Sequence, residues 1–275
     1  MDSQWQNFLR NLGEWRGSFT SLDAEAREVE STPSILTLEQ GQEERLVHFR
    51  LRRFADGDLD GKPSRDMQQD YRSLGRQVVF FESGSFCKGS LQVAPGTAFG
   101  AEFGFVLGDR RHRLVQLHEP SGRFEQLVLI REFRAGRGAA EQPPLTLRSL
   151  EGRWQGEAQT ITADWPVAER RPCQMQVELT PADGLMLHTR LGEQSSAIQL
   201  QGSGPVLRSE GPSAQRLTLL PDGGFQITPE LVSHRDSFQV EAGWLAAPDR
   251  LERLIRRYDG SGAWQAATHV VLQRD

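Results

Sequence analysis

Two glutamates offer the sharpest polar chemistry in the chain. Glu102 lies in Ala101-Glu-Phe-Gly-Phe105 and Glu241 in Glu241-Ala-Gly-Trp244, 139 residues apart. On an extended strand, each shares a face with the glycine two residues on, Gly104 or Gly243, while Phe103 and Phe105, or Ala242 and Trp244, take the other. If the glycine face points inward, it leaves space beside a carboxylate that needs an arginine or a ligand proton in a low dielectric. Such a carboxylate could also donate or accept a proton in a lyase or isomerase reaction. If that face points outward, both glutamates are surface residues and the aromatics fill the interior. Aromatics usually face a core, which argues for the outward arrangement.

A second polar pattern is also duplicated. His48 with Arg50, and His188 with Arg190, place a His-x-Arg on one strand face. It reads either as an anion clamp for a carboxylate or propionate, or as a solvated face; Arg45, Arg52 and Arg53 nearby favour the solvated face. Asp56-Gly-Asp58-Leu-Asp60-Gly61 matches the first half of a calcium loop, but Met67 stands where the bidentate glutamate is required, so a polar hairpin loop is expected. Two histidines in separate halves do not make a metal site. No nucleophile with its base, phosphate loop or zinc ligand set is present, so no catalytic residue, metal or cofactor is expected.

These residues need strands to hold them. The alternation of Leu46, His48, Arg50 and Arg52 against Val47, Phe49 and Leu51 has the period of a two-faced sheet. Many such short segments, separated by turns such as Gly108-Asp109, Glu119-Pro-Ser-Gly122 and Pro221-Asp-Gly-Gly224, indicate an all-β barrel or sandwich. Residues 2–12 read as a short amphipathic helix, too short to be stable alone, whose apolar face needs the open end of a barrel.

The spacing of the glutamates recurs throughout. Gly13-Glu-Trp15-Arg-Gly17 answers Gly152-Arg-Trp154-Gln-Gly156, Pro33 answers Pro172, Phe86 answers Phe225 and Phe99 answers Phe238, all at 139. After one insertion near Ala247 the spacing becomes 140, matching Asp109-Arg110 to Asp249-Arg250 and Ser121-Gly122 to Ser261-Gly262. The chain is therefore read as a duplicated domain, with units over 1–138 and 139–275 and a Gly- and Pro-rich linker over 135–144.

Composition narrows the partners. A net charge of −5 lacks the basic excess of a nucleic-acid binder. The N-terminus has neither a basic start nor an apolar run, and no stretch reaches the length of a membrane helix. Cys87 and Cys173 occupy non-equivalent positions, so a reduced compartment is the simpler reading. A cytoplasmic protein without nucleic-acid or membrane partners is expected.

A Gly-x-Trp opening an antiparallel barrel, with an arginine on its last strand, resembles the calycin superfamily of lipocalins and fatty-acid-binding proteins. The resemblance implies that Arg131 packs across Trp15 and Arg274 across Trp154. Two tandem copies, opened at Gly13 and Gly152, with Ala101-Glu-Phe-Gly-Phe105 answering Glu241-Ala-Gly-Trp244 and with Arg256-Arg-Tyr-Asp259 near the end, look like a two-domain, lipocalin-like family of unknown function found in cyanobacteria. The implied fold is two tandem lipocalin-like β-barrels from an internal duplication, with a short N-terminal helix. In the superfamily an internal arginine often holds a fatty acid's head group, and bilin lyases share the single barrel, so a lipid-like molecule or a tetrapyrrole is the ligand implied. Three functions remain open: a binding protein for a hydrophobic small molecule, a lyase or isomerase acting on one, and a scaffold or assembly factor with filled barrels that binds protein.

Overall fold

In the computed structural model, which describes residues 3–164, 167–181 and 183–275, the chain is all-β apart from two short helices. The first sheet runs β1 (Gly13–Leu22), β2 (Glu28–Gln40), β3 (Val47–Arg53), β4 (Arg65–Tyr71), β5 (Val78–Phe80), β6 (Phe86–Gly89), β7 (Phe99–Leu107), β8 (Arg110–His118) and β9 (Phe124–Arg134). The second holds β10 (Gly152–Thr162), β11 (Glu169–Thr180), β12 (Gly184–Leu191), β13 (Gln194–Leu200), β14 (Val206–Arg208), β15 (Gln215–Leu219), β16 (Gly224–Pro229), β17 (Phe238–Ala247), β18 (Arg250–Tyr258) and β19 (Trp264–Arg274). Helices α1 (Ser3–Leu9) and α2 (Leu147–Leu150) precede the two opening strands.

Both sheets are antiparallel meanders in which the opening strand pairs with the last, β1 with β9 and β10 with β19. Each therefore curls into a barrel whose seam falls mid-meander. The strand order is β4-β3-β2-β1-β9-β8-β7-β6-β5 in one and β13-β12-β11-β10-β19-β18-β17-β16-β15-β14 in the other. Between β4 and β5 no ladder forms; between β13 and β14 one bridge, Gln201 to Arg208, draws the seam together at one end.

Glycine permits the first and last strands to cross closely. A Cβ at Gly17 would lie 1.8 Å from the Arg131 carbonyl oxygen, and one at Gly156 2.0 Å from that of Val271. Beside these crossings each tryptophan is locked. Trp15 Nε1 donates to Asn11 O and Trp154 Nε1 to Leu150 O, both at 2.9 Å. The Arg274 guanidinium lies 4.1 Å from the Trp154 ring centroid. Over Trp15 the partner is Arg134 at 4.2 Å, with Arg111 at 5.0 Å, and not the expected Arg131. Trp15 pairs in register with Arg134 as Trp154 does with Arg274, so the spacing of 140 holds to the last strand. Arg131 sits opposite Ser18 and reaches Ser18, Thr20 and Glu141 instead.

The largest apolar cluster lies between the two sheets. Phe99, Phe103, Phe105 and Leu114 of the first meet Val240, Ala242, Trp244 and Leu254 of the second. The contact is self-complementary across the duplication: Phe99 touches Phe238 at 5.6 Å between centroids, and Phe105 touches Trp244 at 6.2 Å. Likewise Val93 N donates to Gly262 O and Val232 N to Gly122 O. The halves pack as an isologous pair would, related by a pseudo-two-fold.

His118 is fully buried in this contact, against Phe99 and Phe124 and 3.3 Å from Pro229 O. Burial pushes its pKa down to about 4 from 6.5. The folded protein resists a proton that the unfolded chain accepts, so stability falls as pH drops from 6.5 towards 4. His118→Phe is expected to flatten that segment of a stability-versus-pH curve measured by urea titration; an unchanged slope would place the titrating group elsewhere.

Candidate functional site

Strand pairing gathers a charged cluster on the floor of the first barrel. Arg111 stands directly opposite Glu132 on β8 and β9, and Lys88 opposite Glu102 on β6 and β7. Cross-strand partners and residues two apart share a face. Arg113 is two residues beyond Arg111 and faces Gly104, two residues beyond Glu102. All five side chains consequently point inward.

Arg113 is the hub. Its Nε and Nη2 donate to the two Glu132 oxygens at 2.9 Å each, and its Nη1 donates to Glu102 Oε1 at 2.7 Å. Arg111 Nε donates to Glu132 Oε2 at 2.6 Å, and Lys88 Nζ lies 2.9 Å from Glu102 Oε2. Burial alone would raise both carboxyl pKa values. Lys88 and Arg113 outweigh it at Glu102, which lies below the ordinary carboxylate range, and Arg111 and Arg113 bring Glu132 to about 2. Glu102 is thus an ionised acceptor at neutral pH and has no proton to donate.

Three cations meet two carboxylates, a net charge of +1, of which Lys88 is half exposed. Arg111, although ion-paired through Nε to Glu132, keeps an unused donor: its Nη2 is buried without a hydrogen-bond partner while Nη1 makes a long 3.4 Å contact to Asn11 Oδ1. Above it opens a cavity of about 310 Å³ walled by Phe8, Leu36, Leu38, Phe49, Phe80 and Phe86. A charged floor under apolar walls is complementary to an amphipathic anion.

The second barrel keeps only part of this floor. Arg253 binds Glu241 in a fork, Nε to Oε1 at 2.6 Å and Nη2 to Oε2 at 2.9 Å, and its Nη1 reaches Thr189 Oγ1 at 3.2 Å. Leu251 and Leu272 face each other where Arg111 and Glu132 do in the first copy. The pair is neutral, under a larger cavity of about 870 Å³.

Both glutamates therefore point inward, contrary to the argument from the aromatics. Phe103, Phe105 and Trp244 do face a core, but that core lies between the barrels. Nor do the glycines leave empty space: a Cβ at Gly104 would meet Phe86 at 2.3 Å, and one at Gly243 would meet Phe225 at 2.0 Å. The ring of Phe86 or Phe225 fills the gap.

The His-x-Arg pairs form no clamp inside either barrel. His48 Nδ1 lies 2.7 Å from Asp70 Oδ1, and Arg50 forks onto Asp66, all on an exposed face, because the strand period that turns Val47 and Leu51 inward turns them out. His188 and Arg190 are exposed as well, in a shallow depression with Gln174 and Gln176. The Asp56 to Gly61 stretch is a turn between β3 and β4 in which Asp56 and Asp58 accept the Asp58 and Asp60 backbone amides at 3.1 Å. Among the described residues no three His, Cys, Asp or Glu side chains are placed to hold a metal ion. No helix among them is long and apolar enough to cross a membrane. Lys88, Arg111, Arg113 and Glu132 escaped the sequence reading, although Arg111 and Arg113 are spaced to share a strand face and Leu251 marks where the second copy departs.

Residues 1–137 match the model of a domain of unknown function (DUF3598), N-terminal, and residues 141–275 match that of the C-terminal domain of "biogenesis factor required for ATP synthase 1". The crystal structure of a DUF3598 protein of unknown function from Nostoc punctiforme is 36% identical, with all of both chains covered and a TM-score of 0.92. An S-type phycobiliprotein lyase from Guillardia theta matches at 14% identity over 47% of this chain and 90% of its own, with a TM-score of 0.37. No curated relative matches the chain.

Proposed function

The chain belongs to the DUF3598 family, and within that family of unknown function we propose that its first barrel binds a small amphipathic monocarboxylate. The unpartnered Nη2 of Arg111, buried in a cluster of net charge +1 beneath apolar walls, carries this reading. A buried guanidinium N–H left without an acceptor is costly, and a ligand carboxylate supplies that acceptor and balances the net charge of the cluster together. One unmatched charge and about 310 Å³ suit a single carboxylate on a compact apolar body better than a tetrapyrrole with two propionates. The reading is one of binding, and the floor's carboxylates, held ionised by their partners, have no proton to donate to a reaction.

Calorimetry of the full chain with decanoate, decanol and biliverdin tests it. Decanoate is expected to bind at least tenfold more tightly than decanol or biliverdin. Arg111→Leu, which installs the residue the second copy tolerates as Leu251, should weaken decanoate by roughly ten- to a hundredfold while leaving decanol unchanged. Equal binding of acid and alcohol, or an unchanged affinity in the variant, removes the proposal.

A second reading, a non-enzymatic assembly factor, is favoured by the match of residues 141–275 to the biogenesis-factor domain. On it the chain assists a protein complex through surface contacts. Size-exclusion chromatography with purified ATP synthase subunits tests it, and failure to co-elute with any of them removes it.

A further inference from the structure

The two seams are finished differently. In the first barrel the chain covers its own free edge: Gln4 and Asn7 of α1 donate to Phe80 O, and Gln4 Oε1 accepts from Phe80 N, so the outer edge of β5 is satisfied by side-chain amides. Phe8 closes the same gap by packing against Phe80 of β5 and Tyr71 of β4. The other lip, β4, is guarded by Asp66, ion-paired with Arg50, and by Asp70, whose carboxylate lies against His48. Charges along an edge are a common means of preventing another strand from adding to it.

In the second barrel neither device reaches β13, and the charge sits on the far lip instead, where Arg208 is ion-paired with Glu25 and Glu230. The barrel's opening helix has shrunk to the single turn of α2. Strand β13, Gln194-Ser-Ser-Ala-Ile-Gln-Leu200, carries no charge and no proline, and is the terminal strand of its sheet. The bridge from Gln201 to Arg208 holds the seam at one end. From there towards Gln194 it opens into the 870 Å³ cavity, which is lined by Ser196 and Ile198 on one lip and Ser209 and Ser213 on the other. Ser196 and Ile198 pair with Thr189 and Leu187, so their side chains share the inward face.

We propose that the edge of β13 is a docking site for an extended, uncharged, proline-free segment of a partner protein, which adds as a further strand and closes the seam. The free edge supplies main-chain hydrogen bonds, and alternate side chains of the segment enter the cavity among Leu187, Ile198 and the hydroxyls of Thr189 and Ser196. Charge narrows the segment: the floor is already neutral, because Arg253 is matched by Glu241, and on the far lip Arg208 is matched by Glu25 and Glu230 while Glu210 is exposed, so an inward ion of the segment would meet no unmatched charge on the floor. The occupant is polypeptide because the corresponding seam in the first barrel is covered by polypeptide, there by side-chain amides of α1 on the β5 lip. The site is separate from the carboxylate pocket and stands whether or not that pocket binds.

The test selects phage-displayed random heptapeptides on the full chain, synthesises the enriched ones, and measures their affinity by fluorescence anisotropy. Enriched peptides are expected to be uncharged at alternate positions and to slow hydrogen exchange over residues 194–200. Ser196→Lys, which aims a charge inward from an exposed position, and Ser195→Pro should each weaken them at least tenfold, whereas Gln68→Lys on β4 should not. Thermal midpoints of the variants separate loss of the edge from loss of the fold. The proposal is overturned if no peptide is enriched, if the folded β13 variants bind as the original does, or if protection falls elsewhere. It is overturned too if β13 proves already occupied by a second copy of the chain, seen as a dimer that Ser196→Lys makes monomeric.

Discussion

Glu132→Leu is expected to destabilise the first barrel by about 3 to 5 kcal/mol, the usual consequence of removing one partner from a buried ionic network. Glu132 is fully buried and accepts from both Arg111 and Arg113. Without it two buried guanidinium groups face each other with Glu102 as the remaining acid. The duplication supplies the control. Leu251 and Leu272 form the same cross-strand pair in the second copy, so the double variant Arg111→Leu with Glu132→Leu replaces an ionic pair by an apolar one that the fold already uses. It should recover most of the loss, to within about 1 kcal/mol of the original, because an apolar pair of fitting shape needs no desolvation of charge. Urea titrations of the two singles and the double measure this coupling. Additive losses would show that the cluster is not the unit described here.

The same carboxylate dictates an acid limb. Its folded pKa of about 2 lies below the ordinary 4.5, so its contribution is fully present above pH 4.5 and is lost as pH falls towards 2. In the double variant that part of the acid transition should be shallower. His118 acts at higher pH, between 6.5 and about 4, so the two contributions separate on one titration curve.

Trp154→Ala is expected to cost the second barrel about 3 to 5 kcal/mol, as truncation of a core aromatic commonly does. The ring is 1% exposed, and its removal also strands its neighbours. Arg274 loses the face it covers while still tied to Ser149 O at 2.6 Å and Glu151 O at 2.5 Å, and Leu150 O loses its indole donor. The opening strand, the closing strand and α2 meet at this one side chain. A urea midpoint equal to that of the original chain would show that the crossing is held by the backbone ladder alone.

The amino-acid sequence by itself determined the repeat and its period, the all-β class and the Gly-x-Trp openings. These rest on local chemistry that every copy must satisfy. A glycine is needed where strands cross within 2.0 Å or so of a Cβ, and a two-residue period is needed wherever a sheet has unlike faces. The period also showed that Glu102 shares a face with Gly104. It could not show which face is interior, because each barrel has two buried surfaces. A rule that sends aromatics to the core is satisfied equally by a core inside the barrel and by one between barrels.

Only the tertiary structure decided that question, and the identity of the floor followed from it. Arg111, Arg113 and Glu132 look like surface charges along the chain, since nothing local distinguishes an inward arginine from an outward one. They become a site when β6, β7, β8 and β9 curl together and water is excluded from one face. The choice of Arg134 over Arg131 against Trp15 was likewise a matter of register, set by which residues of the last strand meet the first. The seam at β13 is the plainest case. Whether an edge is covered depends on what else folds back across it, and in this chain α1 returns across the seam of one barrel while α2, a single turn long, leaves the other open.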